Sequence, residues 1–180
     1  DVDIANINRP FFDEGFLPAK VEIQSVMDKR SMMLAFPIPS SSAYKNSKPI
    51  SYLSNLIGHE GKGSLLSALK EENLVDSLSA GSEFDTDTNE MFMIRMNLTE
   101  KGLNKQDRVL EMVFGYLKLL KSQGLKKLYF DEQAAMLNIS FQYQEKVEPI
   151  HYVSGLSRTL QNTQSDKVLT ENYILNHFDE

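Results

Sequence analysis

The chain contains no cysteine. A disulfide framework and a thiolate metal site are therefore excluded. No apolar run approaches the roughly 18 residues needed to cross a bilayer as a helix. No basic stretch followed by an apolar one marks a secretory signal. There is no basic stripe either: 19 Lys+Arg stand against 25 Asp+Glu, for a net charge of −6. That balance argues against a nucleic-acid partner. The short pair Lys126-Lys127 reads as solvated helix surface. No internal repeat and no low-complexity tract is present. The sequence opens at Asp1, without Met, in a loop-like segment, so it is expected to be an excised piece of a longer protein. Composition leaves that protein's compartment open between bacterial periplasm and cytoplasm.

Catalytic motifs are missing as well. His59-Glu60 suggests zinc, but a zincin helix needs His-Glu-x-x-His so that both imidazoles share one face. Position 63 is Gly63. The inverted motif His-x-x-Glu-His fails at Lys62 and Gly63. His151 and His177 lie far along the chain, in other predicted helices. A nucleophile elbow needs Gly-x-Ser-x-Gly, which Gly61-Lys62-Gly63-Ser64 does not supply. A phosphate loop needs a lysine where Ser64 stands. The chain is thus expected to hold no catalytic residue, no metal ligand and no cofactor of its own. Asn97-Leu98-Thr99 and Asn138-Ile139-Ser140 match the glycosylation pattern by chance, one at a strand end and one inside a helix.

What is present is an ordinary globular composition, 41% hydrophobic and 24% charged over 180 residues. That is one domain, or at most two small ones. Residues 1–17 read as an introductory linker with apolar anchors Phe11, Phe12 and Phe16. Residues 19–27 alternate apolar and polar, which predicts a half-buried strand. Residues 31–38 are continuously apolar and read as a central strand ended by Pro37 and Pro39. Asp28-Lys29-Arg30 would make the turn of a hairpin between them. Ser47 and Pro49 predict a helix start, with Ile50, Leu53, Leu56 and Ile57 on its buried face. Leu65, Leu66 and Leu69 mark a second helix that opens at Ser64 and stops near Asn73.

Val75–Gly81 and Glu90–Leu98 read as strands joined by the polar tract 82–89. Helices follow over 104–123, with Gly124 as the C-terminal cap, and from about Lys126 to Lys146, with Phe130, Ala134, Leu137 and Phe141 buried. Shorter helices are expected at His151–Asn162 and Thr170–Phe178. Strand hairpins followed by helix pairs predict an α+β fold: a two-layer sandwich, an antiparallel sheet with helices packed on one face. The methionines Met32, Met33, Met91, Met93 and Met96 fall at strand positions as core filler.

The most informative stretch is 56–69, LIGHEGKGSLLSAL. Three glycines within 58–63 let the backbone turn tightly between two helices. Together with Leu74-Val75-Asp76-Ser77-Leu78 and Asn97-Leu98-Thr99-Glu100-Lys101-Gly102-Leu103, this stretch resembles the insulinase (pitrilysin, M16) metallopeptidase family. Phe36-Pro37-Ile38-Pro39 and Leu169-Thr170-Glu171-Asn172-Tyr173-Ile174-Leu175 fit the same pattern. The resemblance covers residues 18–180 and points to the inactive second domain of the amino-terminal half.

The resemblance implies a non-catalytic, substrate-binding chamber-wall domain of a zinc metalloendopeptidase. Zinc would sit in another domain of the parent. The implied partners are a peptide substrate and the parent's remaining domains. The exosite residues it implies are Gly58 and Glu60 near the substrate's amino terminus. Leu78, Ser79 and Ala80 would lie on the strand that pairs with the peptide, and Met93 would be an apolar neighbour. Ser79 and Ala80 depart from the glycine- or valine-like pattern of insulin-degrading relatives, and Asp85 and Asp87 stand where those carry basic and glycine residues. Read without the resemblance, Glu60 is an ion-pair partner or a capping acceptor at the next helix. Two other functions compete: a structural core-type domain of a processing complex without proteolytic role, and an independent hydrolase using His59-Glu60.

Overall fold

The computed structural model describes residues 12, 13, 15–86 and 88–178. Most of the expected 1–17 linker lies outside them; within it, the rings of Phe12 and Phe16 stack with centroids 5.3 Å apart. The chain divides into two compact units, 1–42 with 53–124, and 43–52 with 125–180.

The first unit holds three strands, β1 (Ser31–Pro39), β2 (Val75–Glu83) and β3 (Asn89–Leu98). They form an antiparallel sheet in the order β1-β3-β2. The central strand is therefore β3, whose residues 90–94 are all buried. Residues 31–38 were expected in that position and instead lie at an edge, every second residue exposed. β1 ends at Pro39, as expected, but Pro37 lies inside it, opposite Met91. The edge position explains this, because a proline without an N–H is tolerated where its nitrogen points away from the neighbouring strand.

The strand expected over 19–27 does not form. Val21, Ile23, Val26 and Met27 are exposed. The Ser25 hydroxyl donates to the Met27 carbonyl at 2.6 Å, a local turn that competes with any ladder. Alternation alone does not make a strand without a partner edge, and every register partner of β1 lies on β3.

Helices α1 (Pro49–Gly58), α2 (Leu65–Glu71), α3 (Glu100–Asn104) and α4 (Gln106–Gln123) complete this unit, which takes α1 from Leu53 onward. Ser64 caps α2 by accepting from the Ser67 amide at 3.1 Å, with Gly63 at φ +84° making the turn before it. Asn73, at φ +54°, turns the chain from α2 into β2. The short helix α3 was not foreseen; Thr99 caps it. Helix α4 ends at Gly124, φ +67°. Its Phe114 meets Phe36 of β1 edge-on, centroids 6.4 Å apart, and its Tyr116 hydroxyl donates to the Leu56 carbonyl at 3.1 Å. Ile57, Leu65, Leu66, Leu69, Leu74, Ile94, Met96, Val109 and Val113 form the dry core. At about 25 cal/mol per Å² of apolar surface removed from water, this cluster is the main source of the unit's stability.

The second unit contains α5 (Lys127–Gln142), α6 (Pro149–Leu160) and a single 3-10 turn at Glu171–Tyr173. That turn replaces the helix expected over Thr170–Phe178. Thr170 makes no side-chain cap and donates instead to the Lys167 carbonyl at 3.3 Å. Of the expected α5 stripe only Phe130 is buried. It packs against Phe178, centroids 5.3 Å apart. Ser47 is not the cap of α1: Lys48, at φ +39°, directly precedes the helix. Lys48 Nζ donates to the carbonyls of Lys45 at 2.7 Å and Glu171 at 2.9 Å. Burial lowers its pKa from the ordinary lysine value, with Glu171 opposing the shift. Lys45 in turn donates to the Asn162 carbonyl.

Candidate functional site: the free edge of β2 and the 58–63 turn

An outer strand presents unpaired N–H and C=O groups. The sheet has two such edges, and they differ. The edge at β1 carries Pro37 and Pro39, which blunt its second half by removing donors. The edge at β2 carries no proline. Among the described residues it pairs with β3 alone, from Val75 opposite Leu98 to Glu83 opposite Met91, with one irregularity at Asp76. The β2 edge is therefore the better receptor for another extended chain.

The sequence-derived residues divide into groups here. Leu78 is 7% exposed and opposite Met96, so its side chain belongs to the core and only its backbone can face a ligand. Ser79 is exposed, and Ala80 is half-buried opposite Ile94. Met93 is buried on β3, opposite Gly81 on one side and Ala35 on the other. Gly58 ends α1, and the structure brings it against the strand: a Cβ built there would stand 3.9 Å from the Ala80 amide nitrogen. Ser54, one turn earlier, lies 4.0 Å from the Cβ position of Gly81. Small residues on both sides thus let α1 flank β2 closely at Ala80 and Gly81. Glu60 is exposed two residues beyond Gly58. Among the described residues its carboxylate makes no hydrogen bond and no ion pair, so neither the capping nor the ion-pair role is filled.

Two polar contacts across the β2–β3 hairpin were missed at the sequence level. Asn97 donates to the Ser77 hydroxyl at 2.8 Å. Arg95 forms an ion pair with Glu83, and its Nη2 also lies 3.2 Å from the Met93 sulfur. Only the register of the hairpin brings these pairs together; hydropathy carries no signal for them. Among the described residues no group of three or more His, Cys, Asp or Glu side chains could hold a metal ion.

A domain with this α+β architecture has known counterparts. The family described as the Peptidase M16 inactive domain matches residues 5–137. The insulin-degrading enzyme of Drosophila melanogaster is 33% identical over 169 residues, 94% of this chain and 17% of that protein. The crystal structure of pitrilysin superposes with a TM-score of 0.79 at 32% identity, covering 84% of this chain and 16% of the other. An inactive peptidase domain from Bordetella parapertussis superposes at 0.59 with 15% identity, over 81% of this chain and 76% of that one, a likeness of fold. The chain belongs to the peptidase M16 inactive-domain family of insulinase and pitrilysin relatives. It spans only about a sixth of the length of the curated relatives that it matches.

Proposed function

We propose that this chain is the substrate-binding, chamber-wall domain of a zinc-dependent endopeptidase, with residues 18–180 forming the domain. It captures an extended peptide on the β2 edge while another domain of the parent holds the zinc and cuts. The observation that carries this reading is the β2 edge itself, unblunted and flanked by Gly58 at the Ala80 amide. Main-chain pairing gives affinity with little dependence on sequence. The free carboxylate of Glu60 favours the positive charge of a peptide amino terminus.

The test is the KM of the parent enzyme for a panel of peptides. Replacing Ser79 or Ala80 by proline removes or displaces an edge donor and raises KM for all of them. Gly58→Ala is tolerated, because 3.9 Å is an ordinary contact, whereas Gly58→Val crowds the Ala80 amide and raises KM. Glu60→Gln raises KM for peptides with a free amino terminus by at most about fivefold, and leaves acetylated peptides unchanged. If all these variants keep the parental KM, the structural-subunit reading replaces this one.

A further inference from the structure

Resting on that reading of the β2 edge, we propose that Arg95 makes the edge selective for peptides that place an acidic side chain beside Gly81. Arg95 is the only lysine or arginine between residues 75 and 98. It lies opposite Ser79, while its ion-pair partner Glu83 lies four residues further along β2. Ser79, Gly81 and Glu83 alternate onto one face of the sheet. To reach Glu83 the arginine must run diagonally across the position of Gly81, and its Nη2 contact with the sulfur of Met93, the register partner of Gly81, marks that path. Gly81 has no side chain of its own there, and the neighbouring group at its Cβ position is the small Ser54 hydroxyl, 4.0 Å away.

The guanidinium has capacity left. Nη2 makes both of its contacts, and among the described residues Nε and Nη1 donate to no protein group. A strand added to β2 lies about 4.8 Å further out, and its side chains flank those of β2 at about 5 Å. An acidic side chain opposite Gly81 therefore reaches a free Nε–H or Nη1–H without displacing Glu83, and a single charge-assisted hydrogen bond from a guanidinium to a carboxylate is stronger than one to a neutral amide. A basic side chain there meets Arg95 as a like charge and must compete with it for Glu83.

The test is fluorescence anisotropy with the full-length protein. The probes are peptides with free amino termini, carrying Glu, Gln or Lys at each of the first six positions in turn. One position is expected to show Glu bound about three- to fivefold more tightly than Gln, with Lys weaker than both. Arg95→Gln should erase the difference, and Glu83→Gln, which frees the arginine, should enlarge it. Equal binding of Glu and Gln peptides at every position, or a preference for Lys, overturns the proposal. If Ala80→Pro still weakens every peptide in that case, the edge reading survives. If no peptide binds, or Ala80→Pro changes nothing, the edge reading falls and the selectivity proposal falls with it.

Discussion

Gly102 sits where no side chain fits. A Cβ built on it would overlap the Leu74 carbonyl, and the Thr99 amide donates to that same carbonyl at 3.1 Å. The helix α3 thus approaches the start of β2 backbone to backbone, and a methyl group must push them apart. Gly102→Ala is expected to destabilise the fold by about 2–3 kcal/mol. Gly115, exposed on α4 with nothing within 4 Å of its Cβ position, is the internal comparison. There alanine should stabilise by about 0.5–1 kcal/mol through helix propensity and reduced unfolded-state entropy. Urea titration of both variants reads the two signs directly. Equal shifts in the same direction would show that the close approach at Leu74 does not govern Gly102.

Elements are joined here by capping side chains as much as by apolar faces. Thr99 accepts from the Gly102 amide at 2.9 Å and donates to the Asn73 carbonyl at 2.7 Å. One hydroxyl therefore opens α3 and also fastens the turn that leads from α2 into β2. Thr99→Ala loses both bonds and should cost about 1–2 kcal/mol, while Thr99→Ser, which keeps the oxygen, should cost far less. Thermal melts of the two variants decide it, and equal losses would leave the hydroxyl without a role. The motif Asn97-Leu98-Thr99-Glu100 was legible as family pattern, yet α3 was not read from it. A helix from 100 to 104 is too short to show a period. The hairpin β2–β3, helix α2 and helix α4 were legible because each combines a clear apolar period with a turn or cap residue at its end: the tract 82–89, Ser64 and Gly124. The strand over 19–27 had the alternation but no partner edge to hold it. The stretch 170–178 has packing partners, Phe178 against Phe130 and Tyr173 against Phe141, but the amides of Asn176 and His177 donate to the Asn46 carbonyl instead of closing helical turns. Gly58 and Ala80 were named through resemblance, and the structure places a Cβ built on Gly58 at 3.9 Å from the Ala80 amide nitrogen. Arg95 and Glu83 were not found, because only the pairing register makes neighbours of residues 12 apart in the chain.

At the scale of the whole chain, the decisive question is whether capture and cutting are separable. Peptide hydrolysis by this family's implied chemistry requires a metal to activate water and polarise the carbonyl, and that in turn requires three converging protein ligands. His59 is exposed, Gly63 stands where a zincin would place its second histidine, and no ligand group of three exists among the described residues. The β2 edge needs none of these groups, since its amides and carbonyls are presented by the fold. The purified 180-residue chain is therefore expected to bind extended peptides, to cleave none with or without added zinc, and to retain less than stoichiometric zinc after dialysis. Metal analysis, a cleavage assay and peptide anisotropy on one preparation test the three statements together. One tightly held zinc per chain, or zinc-dependent cleavage lost in His59→Ala, would establish the independent hydrolase instead. Binding without cleavage, abolished by Ala80→Pro and indifferent to His59→Ala, would place capture in this chain and leave the chemistry to another part of the parent.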